Sequence, residues 1–141
     1  MGQPPNEVSF RLRRLSGGGA GRWWLVFPLE VSAALTLAMV PNTAASRSVI
    51  TPVAFTRLQG LGLVGPAVPH IPSGMRGCVL RALTVVGHPL AEFEVQIRDV
   101  EALRTDVGED AVDGYLGLDF FFANFTAIRF ELKRFLLTLE F

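Results

Sequence analysis

The chain has 141 residues, half of them hydrophobic, with 13 basic and 13 acidic side chains and a formal net charge of zero. That length fits one domain with a single core, and a balanced charge with no long Lys/Arg run excludes a nucleic-acid-binding patch. The lone cysteine, Cys78, excludes an intramolecular disulfide; with His70 and His88 as the only histidines no Cys/His set has metal-ligand spacing, so no metal or other cofactor is expected.

Met1 to Glu7, with Pro4-Pro5, reads as a loose tail. Val8, Phe10 and Leu12 alternate with Ser9, Arg11 and Arg13, the pattern of a half-buried strand whose arginines face solvent. Gly17-Gly18-Gly19-Ala20-Gly21 is a flexible turn, which predicts that this strand hairpins onto the next one. Residues 1–22 are therefore read as a tail and first strand, and 23–141 as the domain proper.

The apolar run Trp23 to Val40 is broken by Pro28 and Glu30 and is short for a membrane-spanning helix. A signal peptide would start nearer Met1 and carry no Glu in its apolar region. Phe27, Leu29, Val31, Ala33, Leu35, Leu37 and Met39 fall on one face, with Glu30, Ser32 and Thr36 on the other. Such a period of two predicts two strands bent around Ser32-Ala33-Ala34. These residues are poor at the positive backbone angles of a tight hairpin, so a wider turn is expected. A soluble, cytoplasmic protein with no membrane partner is the expectation.

Ser48-Val49-Ile50 predicts a short strand, and Thr51-Pro52 a helix start, Thr as cap and Pro in the first turn. That helix runs to about Leu58 and stops at Gly60, with Phe55 and Leu58 inward. Gly65 to Gly77, rich in Gly and Pro, suits either a mobile hairpin or an irregular connection. Val79 to Val86 and Ala91 to Val100 are predicted strands around Gly87-His88-Pro89, with His88 exposed in the turn and Cys78 a small buried residue. Glu101 to Asp110 is an acidic loop. Asp113 reads as a turn former before Gly114, and Asp119 as the first-turn acid of a helix from Leu118 to Asn124. Ile128, Phe130 and Leu132, then Phe135, Leu137, Leu139 and Phe141, make a hairpin around Lys133-Arg134. Its apolar last strand leaves an edge that must be covered.

Asn42-Thr43-Ala44-Ala45-Ser46 resembles the Asp-Thr-Gly-Ala-Ser signature of retropepsin-like aspartic peptidases, with Asn for Asp and Ala for Gly. Tyr115-Leu116-Gly117 resembles that family's second signature, two apolar residues and Gly, and Leu61-Gly62-Leu63 is similar to the segment after its first helix. The resemblance implies an all-β fold, a retropepsin-like acid-protease β-barrel with short helices and one lobe per chain. It also implies a homodimer that completes the cleft, with the apolar last strand covered by the second subunit. Thr43 would interlock with its counterpart, and a flap including Gly74, Met75 and Arg76 would close over an extended peptide.

Such enzymes hold two carboxylates around one water; one takes its proton while the other, protonated, polarises the scissile carbonyl. Asn42 at that position offers an amide without useful basicity, and Ala44 is expected to crowd a cramped turn. A homodimer should therefore be inactive, a peptide-binding or dimerisation module. An enzymatic reading keeps an active or variant-inactivated endopeptidase, with an Asp from a different partner chain or with Asp113 or Asp119 as the acid. An unrelated small β-barrel of binding or structural role is the third reading.

Overall fold

Alternation builds the central hairpin. In the computed structural model, which describes residues 6–16, 23–70, 75–100 and 112–141, β3 (Trp23–Val31) pairs antiparallel with β4 (Leu35–Pro41). The register sets Phe27 opposite Met39 and Leu29 opposite Leu37, and all four side chains are fully buried. The turn is tight. Ser32 and Ala33 take φ of 52° and 54°, and the Ala34 amide donates to the Val31 carbonyl at 3.0 Å. Non-glycine residues in this region cost roughly 1–2 kcal/mol each. A bond from the Ser32 amide to the Ala82 carbonyl, 2.9 Å, helps to hold the turn from outside.

β5 (Val49–Ile50) leads into helix α1 (Pro52–Gly60), whose first turn is capped as the sequence predicts, Thr51 Oγ1 accepting from the Ala54 amide at 3.1 Å. Ala54 and Leu58 are buried, while Phe55 is half-buried. β6 (Val68–His70) and β7 (Met75–Leu80) form an antiparallel hairpin, so this stretch is regular up to its tip. Residues 71–74, Gly74 among them, and residues 101–111, which include the stretch read above as an acidic loop, lie outside the described residues.

The strand predicted from Val79 to Val86 is broken in two. Ala82 takes φ of 52°, ending β7 and starting β8 (Leu83–Val85), which leaves to pair with β3 and with β9 (His88–Pro89). β7 instead pairs with β10 (Phe93–Ile97). β11 (Gly114–Leu116) precedes helix α2 (Leu118–Asn124). A large sheet runs β6-β7-β10-β5-β11-β4-β3-β8-β9, with β2 (Arg13–Ser16) pairing on β3.

The half-buried strand expected at Val8 and Phe10 is present, but the pairing onto the following strand holds only for β2. β1 (Glu7–Arg11) turns away at Leu12 and pairs with β13 (Leu136–Glu140), in a separate three-stranded sheet ordered β1-β13-β12, where β12 is Ala127–Glu131. The expected bare edge at the last strand is therefore not there: β13 is the middle strand, flanked on both sides by its own chain. Leu137 and Leu139 are buried, and buried Thr138 satisfies its hydroxyl on Ser9, 2.8 Å away.

Between the sheets and helices lies one core, with Phe120 of α2 at its aromatic centre. Its ring meets Phe27, Phe93 and Phe125 with centroids 5.3–5.6 Å apart, separations typical of favourable edge and tilted packing. Phe125 continues this packing to Phe141, on which His88 is stacked at 3.4 Å. His88 is thus half-buried against a ring, not a bare turn residue. Cys78 is buried in the core as expected. Among the described residues no helix is long and apolar enough to cross a membrane.

Candidate functional site

β4 delivers the chain to Asn42, and β11 fixes that position from the other side. β11 lies between β4, parallel, and β5, antiparallel, so the loop from 42 to 48 leaves one neighbour of β11 and returns to the other. The Asn42 amide donates to the Leu116 carbonyl at 2.8 Å. The Leu118 and Asp119 amides, free donors at the start of α2, reach the Ala45 and Ser46 carbonyls at 2.8 and 3.2 Å. The two signatures are in this way hydrogen-bonded to each other.

Side chains lock the same junction. Ser48 is fully buried. Its Oγ donates to Asp119 Oδ1 at 2.7 Å and accepts from the Gly117 amide at 2.8 Å, while its amide donates to Asp119 Oδ2 at 3.0 Å. Asp119 Oδ1 also accepts from the Phe120 amide at 2.8 Å. The glycines are needed by contact: a Cβ on Gly117 would lie 2.8 Å from the Ala45 and Arg47 carbonyl oxygens, and one on Gly114 2.0 Å from that of Val49.

At the tip, the half-buried Asn42 turns its Oδ1 back to accept from the Ala44 amide at 3.2 Å, and its carbonyl accepts from the Ala45 amide at 3.1 Å. Thr43 and Ala44 are exposed on the single chain. Ala44 carries no left-handed backbone angle, so its methyl meets no penalty of handedness. Chemically the tip supplies an amide where an acid–base pair would need a carboxylate.

Neither alternative acid is spare. Asp113 does more than form a turn: Oδ2 accepts from the Ala38 amide on β4 and Oδ1 from Arg57 on α1, both at 2.8 Å. Asp119 is occupied as described. Both carboxylates hold backbone and neighbouring side chains, which leaves neither as a loose general base. Cys78 is likewise inert: burial, then the Glu94 carboxylate, pushes its thiol up to about 11, so it carries no thiolate nucleophile near neutrality. Among the described residues no group of three or more His, Cys, Asp and Glu side chains is placed to hold a metal ion.

Of the flap candidates, Met75 and Arg76 lie on β7, opposite His70 and Pro69. Ser48, central to the junction, escapes sequence reasoning; its one local sign is a small hydroxyl just before a buried apolar pair. Tyr115 also has a partner not foreseen, its hydroxyl accepting from Arg98 Nη2.

The sequence matches no protein-family model and no curated protein sequence. The fold is similar to that in the crystal structure of a retropepsin-like aspartic protease from Rickettsia conorii, with a TM-score of 0.56, 14% identity, and coverage of 96% of this chain and 93% of that one. The chain thus has, over nearly its whole length, the fold of a single retropepsin-like lobe.

Proposed function

We propose that this chain is a catalytically silent retropepsin-like lobe, which pairs with a second copy and binds extended peptide without hydrolysing it. The observation that carries the reading is Asn42: its side-chain amide oxygen accepts from the Ala44 amide, and its backbone is held by Leu116 and Ala45 at the point where the two signature segments meet. Two such amides facing each other lack a proton-accepting group, and a carbonyl cannot be attacked by a water that nothing deprotonates. Exposure of Thr43 and Ala44 on the single chain supports a partner above them. β6, the outermost of the described strands at that end of the large sheet, supports peptide capture by strand addition.

The test compares the protein with the double variant Asn42→Asp, Ala44→Gly on an unfolded protein substrate from acid to neutral pH. Cleavage by the variant alone, stopped by a pepstatin-type inhibitor, is the expected result, together with saturable substrate binding by the unaltered protein. Inhibitor-sensitive cleavage by the unaltered protein would overturn the reading and return Asp113 and Asp119 to consideration as catalytic acids.

A further inference from the structure

Away from Asn42, a groove of about 490 Å³ opens where α1, the base of the β6–β7 hairpin and the end of β10 converge. Phe55 of α1, Ile97 of β10 and Pro66 before β6 give it apolar walls. Arg76 lies directly opposite Ile97 in the β7–β10 register, so both side chains leave the same face of the sheet, toward the groove. Arg98 and Asp99 close the same rim. Among the described lining residues, two guanidinium groups stand against one carboxylate, one positive charge in excess.

These arginines are available in different ways. The Arg98 guanidinium is oriented by a hydrogen bond to the Tyr115 hydroxyl, and a guanidinium has further donors in the same plane. Arg76 engages no side chain among the described residues. Thr56 and Gln59 on α1 add neutral polar groups to the wall. An apolar body of a few carbons with one planar, anionic oxygen pair matches this set in size and charge; guanidinium forks bind carboxylates bidentately. We propose that the groove is a binding site for a carboxylate on a short apolar body, separate from the Asn42 junction.

The probe is octanoate, titrated into isotopically labelled full-length protein and followed by NMR, with octan-1-ol and octylamine as neutral and cationic matches. A short blocked peptide, acetyl-Phe-Glu-amide, tests whether an acidic side chain supplies the same group. Saturable shifts centred on Phe55, Arg76 and Ile97 are expected with octanoate, and weaker or none with the alcohol and amine. Arg76→Gln and Arg98→Gln should each weaken binding about three- to tenfold. Tighter binding of the peptide at the same signals supports the site and identifies a peptide as the source. Equal binding of octan-1-ol, octanoate shifts centred elsewhere, or full affinity in both Gln variants would overturn it. Asn42→Asp, Ala44→Gly should leave octanoate affinity unchanged, so this result and the peptidase test fail independently.

Discussion

Ser48 and Asp119, 71 positions apart, are joined by two hydrogen bonds, Oγ to Oδ1 at 2.7 Å and amide to Oδ2 at 3.0 Å. This pair reinforces the backbone bonds from Asn42, Leu118 and Asp119 that join the two signature segments. Ser48→Ala strands the buried Gly117 amide and removes one donor to Asp119, and should cost about 1–3 kcal/mol. Urea unfolding would record this as a lower midpoint at unchanged slope. An unshifted midpoint would show that the junction is held by the backbone alone.

The glycines give a graded series. Gly114→Ala puts a methyl into the Val49 carbonyl, 2.0 Å away, in a strand paired on both sides, and should abolish folding or cost more than about 3 kcal/mol. Gly117→Ala, with 2.8 Å approaches, should cost less. Gly60, at the end of α1 with open space around it, is the control: Gly60→Ala should be neutral or stabilise by up to about 1 kcal/mol. Thermal midpoints of the three variants test the order.

Ser32 and Ala33 both hold positive φ in a turn closed by the Val31–Ala34 bond. Replacing them with Asn-Gly, which suits those angles, should stabilise the hairpin by about 1–2 kcal/mol. A fall in the melting midpoint would mean that Ser32 or Ala33 makes a compensating contact that the angles do not reveal.

Burial first, and Glu94 second, raises the Cys78 thiol from 9.0 to about 11. Between these values the unfolded chain has released the proton and the folded chain has kept it, so stability must fall as pH rises from about 9 to about 11. Cys78→Ala should remove that part of the decline. Denaturation series at pH 8.5 and 10.5 for both proteins would show whether the wild type loses more, as expected.

Local pattern carried the fold where local physics decides it. Phe27 to Met39 reads correctly because a period of two leaves little choice of face, and α1 because Thr51 and Pro52 each satisfy a definite need of a helix start. The strand partners of Phe10 and Leu137 were not legible, since alternation fixes a face and says nothing about which distant strand lies alongside. The break at Ala82 was missed because alanine rarely adopts its left-handed angle, and the turn it meets is far away in the chain. At the site the residue types at 42–44 were readable, but two facts needed coordinates: that Ala44 has no left-handed backbone angle, and that Asp113 and Asp119 are already bonded.

The place of β13 between β1 and β12 has a temporal side. Ser9 and Thr138 meet across 129 positions of chain. During synthesis β1 emerges early, and its half-buried face of Val8 and Phe10 has no partner until β13 leaves the ribosome, on the order of ten seconds later. For that interval it is an unpaired apolar strand, open to wrong pairings. The small sheet is therefore the last part of this described fold able to form, and closing so long a loop makes it a natural candidate for the slow step of folding.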